Sequence, residues 1–224
     1  MTVEIKESLK EVVVRAGQTM VRERLTLGTW GNVSLRDPET GFIYITPSGI
    51  PYLEILVSDI VVMNSDEEVV GGHRVPSIER GMHIAVYNAR EDVNAVVHSH
   101  PLYSSVLGVN HMELPGMSED FVQIVADKII CSNYALPGTP ELARNVVEAL
   151  GKRNAVLLPN HGTLCAGEDM TRALLIGQAV EKTAQIYIMA KSIGTPHLIS
   201  QEHIEAMQWY ARNVYGQRPE AQET

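Results

Sequence analysis

Two of the eight histidines, His98 and His100, stand two positions apart at the end of the apolar segment 93–97. If this segment forms a strand, both imidazoles project from the same face, because side chains alternate between faces along a strand. Two imidazoles on one rigid edge can preorganise a divalent metal site. Eight histidines in 224 residues give about 0.3 chance pairs at this spacing. The pair alone is therefore compatible with metal binding and with ordinary surface histidines.

Two further residues fit the same centre. His161 follows the apolar segment 155–158 within the turn-forming sequence Pro-Asn-His-Gly, and α/β proteins commonly place sites at strand ends. Glu79 opens a predicted helix just before the His98 strand, so a short connection can bring its carboxylate over that strand end. Three imidazoles and one carboxylate are a typical zinc ligand set, in which substrate can take one position. The arrangement favours a reaction centre over a structural metal site.

Two loops rich in small polar residues could hold an anion. The sequence Gly-Thr-Trp-Gly-Asn occupies 28–32, and Thr-Pro-Ser-Gly occupies 46–49. Both loops offer accessible backbone N–H groups together with hydroxyls or an amide, and such groups can surround a phosphate. Both are also ordinary turn sequences. From the residues alone, a turn and an anion site remain open for each loop.

Helices and strands alternate along the chain in an order that could bring these residues together. Apolar residues at helical spacing predict a first helix from about residue 5 that ends near Leu27 and Gly28. Further helices are predicted over 79–89, from Pro101, and over 139–150, 169–192 and 200–214. Strands are predicted over 32–36, 41–46, 60–64, 93–98, 128–132 and 155–158. Because the early strands are spaced as hairpins, we expect an α/β sandwich around a mostly antiparallel sheet.

The composition is that of an ordinary globular protein. Of the 224 residues, 45% are apolar and 20% charged, which excludes disordered, collagen and coiled-coil classes and predicts one domain over 1–224. No apolar run approaches the roughly 20 residues that cross a bilayer, and residues 1–10 lack a signal-peptide core. We therefore expect a cytoplasmic protein without membrane contact. Cys131 and Cys165 are too few for a disulfide framework.

The charge pattern limits the possible partners. The net charge is −9, and the chain lacks the clustered lysines and arginines that nucleic-acid backbones require. An anionic small molecule remains possible, because one pocket need not follow the sign of the whole chain. No dinucleotide-binding or Walker-type glycine motif is present, so no nucleotide cofactor is expected.

Six segments, taken together and in this order, resemble the zinc-dependent class II aldolase/adducin family. They are LGTWGNVS at 27–34, TPSGIPY at 46–52, PSIE at 76–79, HSH at 98–100, NHG at 160–162 and YG at 215–216. The resemblance covers nearly the whole chain. It implies a three-layer α/β/α sandwich around a mostly antiparallel central sheet. The superfamily includes aldolases, epimerases, dehydratases, decarboxylases and the non-enzymatic adducin head domain.

The resemblance implies a metal centre with named ligands. His98, His100 and His161 would hold Zn²⁺, or alternatively Mn²⁺ or Co²⁺, and Glu79 would be a displaceable fourth ligand that also transfers a proton. The family mechanism breaks a carbon–carbon bond to give an enediolate, whose charge the metal stabilises as a Lewis acid. The epimerase branch typically has an aspartate at the position of Glu79, so the glutamate here argues against that branch.

The resemblance also implies how substrate would be bound. The family's phosphate-binding positions correspond to Asn32, Ser48, Gly49 and Ser77. Tyr215 corresponds to a C-terminal tyrosine that protonates or deprotonates the aldehyde-side oxygen. Family members are tetramers with sites at subunit interfaces, so the resemblance implies a homotetramer acting on a small anionic substrate.

Two positions depart from the aldolase pattern. Ile78 replaces a second serine before the glutamate, which removes a hydroxyl donor and leaves Arg80 as the nearest charged neighbour. Glu119 occupies the position of a tyrosine that lines the site from the neighbouring subunit. The loss of the serine hydroxyl at Ile78 makes phosphate binding less secure, and the different surface at Glu119 suggests that substrate choice has moved.

Three functions follow from these expectations. The first is a zinc aldolase that cleaves a ketose phosphate similar to L-fuculose 1-phosphate into dihydroxyacetone phosphate and a short aldehyde. The second is a metal-dependent decarboxylase of a hydroxy-acid, oxo-acid or aromatic carboxylate, which Arg80 could bind through a bidentate contact. The third, a non-catalytic adducin-like interaction domain, predicts missing metal ligands, whereas all four are present. His83, four residues after Glu79, could orient the ligands or simply be a core histidine.

Overall fold

The computed structural model describes residues 4–215, whose strands fall into a main sheet and a small two-stranded sheet. The strands are β1 Asn32–Arg36, β2 Ile43–Ile45, β3 Val61–Met63, β4 Val69–Gly71, β5 Ala95–Ser99, β6 Leu114–Pro115, β7 Lys128–Ile129, β8 Ala155–Leu158 and β9 Gly162–Gly167. The main sheet has the order β4-β3-β2-β1-β5-β9-β8. Every neighbouring pair in it is antiparallel, in agreement with the antiparallel sheet predicted from the sequence.

Helices cover both faces of this sheet. They are α1 Glu7–Arg22, α2 Arg80–Ala89, α3 Leu102–Val109, α4 Glu119–Ile124, α5 Pro140–Leu150, α6 Met170–Ile193 and α7 Gln201–Asn213, with a 3-10 turn at Val57–Asp59. Along β5, Val96 packs in the core beneath α2 and α5. The next residue, Val97, packs in the core beneath α1 and α6. Because successive side chains of a strand point to opposite faces, each face of the sheet has its own apolar layer.

The first helix ends earlier than its apolar spacing predicts. It stops at Arg22 instead of near Leu27 and Gly28. Arg24 takes a left-handed backbone conformation with φ of 58°, and the N–H of Leu25 donates to the carbonyl of Met20 over 2.8 Å. This closure satisfies a helix-end carbonyl in the manner of a Schellman motif without a glycine. It also buries Leu25, which explains why the apolar pattern continues past the helix end.

The strand β9 was not predicted, although it is central to the sheet. It lies between β5 and β8 and is buried along its whole length. Its sequence, Gly-Thr-Leu-Cys-Ala-Gly, begins and ends with glycine, and the sequence pattern predicts only the turn that includes Gly162 and no strand after it. Strands β4 and β6 and helix α4 were also missed, and β7 is shorter than the predicted 128–132. These are short elements whose pairing or packing partners lie far away in sequence.

The longest helix, α6, packs against the sheet and does not resemble a membrane span. Ala173, Val180 and Thr183 are buried on its inner side, whereas Lys182 and Lys191 are exposed. In the part of the chain that the structure describes, no helix is long and apolar enough to cross a membrane.

Candidate metal centre

Three histidines converge at one end of the sheet. His98 belongs to β5, His100 follows that strand, and His161 lies in the turn between β8 and β9. Their candidate ligand atoms all lie within 4.8 Å of one another. The ring centroids of each pair are 4.7 to 4.9 Å apart. The fold therefore gathers the three imidazoles that the sequence singled out.

The pairing of β5 with β9 explains why the third histidine arrives. Ser99 pairs with Thr163 in this register, so the turn before β9 lies beside the end of β5. In that turn, Asn160 has a left-handed φ of 55°, a conformation that asparagine tolerates well. Gly162 passes so close to the carbonyl of Ser99 that any Cβ there would collide with it. Asn160 and Gly162 thus both suit the turn that brings His161 beside the other two histidines.

Glu79 adds a carboxylate beside two of the three histidines. It is the N-cap residue of α2 and is buried. Its Oε2 lies 3.3 Å from Nε2 of His98, and its Oε1 lies 3.2 Å from Nε2 of His161. Burial opposes ionisation of this carboxyl, but the contacts with His98, His161 and Asn32 outweigh it and lower its pKa. Glu79 is therefore an ionised carboxylate facing two imidazoles.

The donor set fits a divalent cation. Nδ1 of His98 lies 2.8 Å from the carbonyl of Thr163, and donation there leaves the Nε2 lone pair directed at the cluster. Burial, followed by the effect of His98, lowers the pKa of His161 to about 4, and burial likewise lowers that of His100 to about 3. Both rings are thus neutral near pH 7, as metal ligation requires.

An unpaired oxygen supports the same interpretation. Among residues 4–215, Oε1 of Glu79 is one of two buried side-chain polar atoms without a hydrogen-bond partner. Nε2 of His100 lies 3.0 Å from Nε2 of His98. When both rings are neutral, both of these nitrogens can present lone pairs instead of sharing a hydrogen bond. Buried polar atoms are rarely left unsatisfied. Three neighbouring imidazole nitrogens, with a carboxylate 3.2 to 3.3 Å from two of them, are the kind of donor set that Zn²⁺ and similar ions bind.

The predicted phosphate residues lie on neighbouring segments beside this cluster. The backbone N–H of Ser48 donates to the carbonyl of Val75, and that of Ser77 donates to the carbonyl of Thr46. This pairing places the exposed Ser48 and Gly49 next to the segment that leads into Glu79. The Ser77 hydroxyl accepts from the backbone N–H of Glu79 over 3.3 Å. The segments 46–49 and 75–79 therefore lie side by side, and Ser48, Gly49 and Ser77 on them form a polar rim.

Asn32 has a more specific place than the resemblance implied. It lies opposite His98 in the β1–β5 register. Its Nδ2 donates to Oε2 of Glu79 over 2.9 Å, and its Oδ1 lies 2.5 Å from Nε2 of His83. The buried amide is thus already engaged with Glu79. His83, left between two interpretations by the sequence, contacts the cluster through Asn32.

Three other candidate residues do not join the cluster within this chain. Nε of Arg80 lies 3.3 Å from the carboxylate of Glu67. Glu119 is exposed on the first turn of α4. Tyr215 is also exposed, just beyond α7, where its ring lies 6.4 Å from that of Tyr210.

One aromatic residue at the site was missed. Trp30 is 63% exposed, yet its ring stacks on His100 with an interplanar angle of 16° and a centroid distance of 6.2 Å. Hydrogen bonds from Thr26 to the carbonyl of Trp30 and from Tyr52 to the carbonyl of Gly31 hold the loop. The sequence feature that could have identified Trp30 is a large aromatic residue in a short loop between Gly28 and Gly31.

The loop that carries Trp30 depends on Gly31. This residue has a φ of 76°, and an added Cβ would lie 2.5 Å from the carbonyl oxygen of His98. We expect Gly31→Ala to lower the free energy of unfolding by about 2 to 4 kcal/mol, from backbone strain plus collision. Gly28→Ala is the matched control, because Gly28 also has a positive φ but open space around it. It should cost about 1 kcal/mol. Urea unfolding measures both variants, and equal losses would contradict the close-approach argument.

The chain is similar in sequence to known proteins. A family profile described as Class II Aldolase and Adducin N-terminal domain matches residues 11–188. The chain is 38% identical over 196 residues to 5-deoxy-D-ribulose 1-phosphate aldolase of Bacillus thuringiensis serovar kurstaki, covering 88% of this chain and 92% of the relative. It is 33% identical over 200 residues to L-fuculose phosphate aldolase of Escherichia coli K12, covering 89% and 92%.

The fold comparison agrees. A solved structure of an L-fuculose 1-phosphate aldolase matches with a TM-score of 0.90 at 38% identity, over 93% of this chain and 98% of that one. The predicted class II aldolase fold is thereby confirmed, and the family is metal-dependent, as the histidine cluster suggests. The chain therefore belongs to the Class II Aldolase and Adducin N-terminal domain family, among its aldehyde-lyases.

Proposed function

We propose that this protein is a zinc-dependent aldolase that cleaves a ketose 1-phosphate into dihydroxyacetone phosphate and a short aldehyde. The observation that carries the proposal is the convergence of His98, His100 and His161 with the buried carboxylate of Glu79. The named relatives cleave sugar phosphates of this kind. Mn²⁺ or Co²⁺ could replace zinc at the same nitrogen and oxygen set.

The three histidines would hold the metal, with Glu79 as a displaceable fourth ligand. When bound, the cation would supply positive charge that stabilises the oxyanion developing as the carbon–carbon bond breaks. His98 is kept in the ligating tautomer by the carbonyl of Thr163. Its burial excludes water from the inner side of the centre.

Glu79 is proposed as the group that moves a proton at the reacting carbon. In the cleavage direction the bond between C3 and C4 breaks, the C4 hydroxyl loses its proton, and C3 gains one to give dihydroxyacetone phosphate. Asn32 holds one carboxylate oxygen, and the other lacks a hydrogen-bond partner. A positioned carboxylate with one free oxygen can act as general acid and base.

Phosphate binding is assigned to the polar rim. The hydroxyls of Ser48 and Ser77 and the backbone N–H of Gly49 lie on or beside the segment that leads into Glu79, and such donors suit a phosphate. Asn32 retains a second amide hydrogen beyond the one given to Glu79. We propose Tyr215 as the proton carrier for the aldehyde-side oxygen. Because Tyr215 is exposed within one chain, we assign it to a neighbouring subunit's site in a homotetramer.

The decarboxylase alternative loses its main support. It depended on Arg80 binding a substrate carboxylate, whereas the Arg80 guanidinium lies against the carboxylate of Glu67. The adducin-like alternative required missing ligands, whereas the three histidines lie together and the Glu79 carboxylate contacts His98.

A product assay tests the proposal. Metal-replete protein would be incubated with 5-deoxy-D-ribulose 1-phosphate, L-fuculose 1-phosphate and a panel of hydroxy-, oxo- and aromatic carboxylates. We expect dihydroxyacetone phosphate from at least one ketose phosphate and no carbon dioxide from the carboxylates. Carbon dioxide without dihydroxyacetone phosphate would assign the chain to the carboxy-lyases instead.

A further inference from the structure

We propose that His83 and Ser34 are positioning residues that fix the direction in which Asn32 presents its amide to Glu79. The inference rests on the proposed function, in which Glu79 transfers a proton. It concerns residues on the face of the sheet beneath α2, behind the metal ligands.

A continuous chain of side-chain contacts runs from Tyr87 to Glu79. The hydroxyls of Tyr87 and Ser34 are 2.7 Å apart, and the Ser34 hydroxyl lies 2.7 Å from Nδ1 of His83. Nε2 of His83 lies 2.5 Å from Oδ1 of Asn32, and Nδ2 of Asn32 lies 2.9 Å from Glu79. All five side chains are buried. Because these side chains are buried, each polar group depends on its neighbour for a hydrogen bond.

The ionised end of the chain sets the direction of every bond. A carboxylate only accepts hydrogen bonds, so Asn32 must turn its NH₂ toward Glu79 and its carbonyl oxygen toward His83. His83 must then carry its hydrogen on Nε2 to donate to that oxygen. Its bare Nδ1 accepts from the Ser34 hydroxyl, which in turn accepts from Tyr87. Each residue is left with one consistent choice of donor and acceptor.

The neutral state of His83 keeps this direction in place. The ring is fully buried, and burial, with a further contribution from His98, lowers the pKa of His83 to about 3. A protonated ring would donate from both nitrogens and reverse the Ser34 contact. A neutral ring with the opposite tautomer would present a lone pair to the carbonyl of Asn32 and favour rotation of the amide.

Rotation of Asn32 would turn a carbonyl oxygen toward the Glu79 carboxylate. Two acceptors would then face each other in a buried site, and the carboxylate would swing away from its present orientation. In the observed arrangement, Oε2 is held by Asn32 while Oε1 faces His161. The buried chain therefore determines which oxygen of Glu79 is free to act.

Nuclear magnetic resonance tests the direction without substrate. Zinc-loaded protein labelled with ¹⁵N-histidine should show His83 protonated at Nε2 and unprotonated at Nδ1, with the signals assigned by their loss in His83→Gln. Protonation at Nδ1 would overturn the proposal. This measurement stands even if no ketose phosphate is cleaved, a result that would overturn the proposed function alone.

Steady-state kinetics tests the consequence. We expect His83→Phe to lower kcat by about 10- to 100-fold, the range for lost support of a site ligand, with KM and zinc content changed less than about twofold. His83→Gln should recover most of kcat, because its amide can still donate to Asn32. Equal losses in both variants, or loss of zinc in step with kcat, would show a packing role and overturn the proposal.

Ser34→Ala provides a second variant if His83→Phe does not fold. It removes one small hydroxyl that selects the tautomer of His83, so a smaller fall in kcat is expected, again at constant KM and zinc content. Thermal unfolding confirms that the variant remains folded. An unchanged kcat in Ser34→Ala would overturn the role of the serine in setting the direction.

Discussion

His161→Ala should abolish metal binding and turnover together. The imidazole supplies one of three converging nitrogens and lies in a surface turn, with its side chain only 13% exposed. Removing one of three protein nitrogens leaves an incomplete tetrahedral set, so metal affinity should fall by more than about 100-fold. Zinc per chain after dialysis, measured by plasma mass spectrometry, and the rate of aldol cleavage should both fall to background.

The fold should survive this substitution. His161 contributes its ring to the site, while the turn itself depends on Asn160 and Gly162. His203→Ala is the matched control, because His203 is an exposed histidine on α7, and it should retain metal and activity. Full zinc retention with normal turnover in His161→Ala would show that the cluster is not the reaction centre. His98→Ala should lose metal as well, with an added stability cost because His98 is fully buried.

Glu79→Gln should leave a folded, metal-binding protein whose kcat is about 10² to 10⁴-fold lower. The glutamine has the shape of glutamate but cannot carry a proton between substrate atoms, and general acid–base groups contribute rate factors of this size. Its amide oxygen can still accept from Asn32, so the local hydrogen bonding should persist. Stopped kinetic assays give kcat, and zinc analysis with circular dichroism checks that metal and fold are retained.

A neighbouring carboxylate provides the control for Glu79. Glu67 pairs with Arg80 on the surface near the start of α2, so Glu67→Gln changes the charge by the same amount outside the cluster. It should keep nearly full activity. Near-normal turnover in Glu79→Gln would show that another group transfers the proton.

Much of the architecture was predictable because the spacing of apolar residues along the chain indicates which side of a helix or strand is buried. Strands β1 and β8 were predicted with the bounds that the structure gives, and α5 and α6 to within a residue at each end. The failures share a cause. The strand β9 carries glycines at both ends, and Arg24 ends α1 without glycine. In both places the tertiary environment outweighs local preference.

The ligand types at the candidate centre could be predicted from the sequence, because residue identity determines imidazole and carboxylate chemistry. The spacing of His98 and His100 follows from strand geometry. The sequence could not predict which atoms come into contact. Asn32 and Glu79 are 47 residues apart, and His83 is 51 residues from Asn32. Such contacts arise only when β1, β5 and α2 pack together. The same packing set Arg80 against Glu67 and Trp30 against His100, because a side chain's partner depends on which surfaces the folded core brings into register.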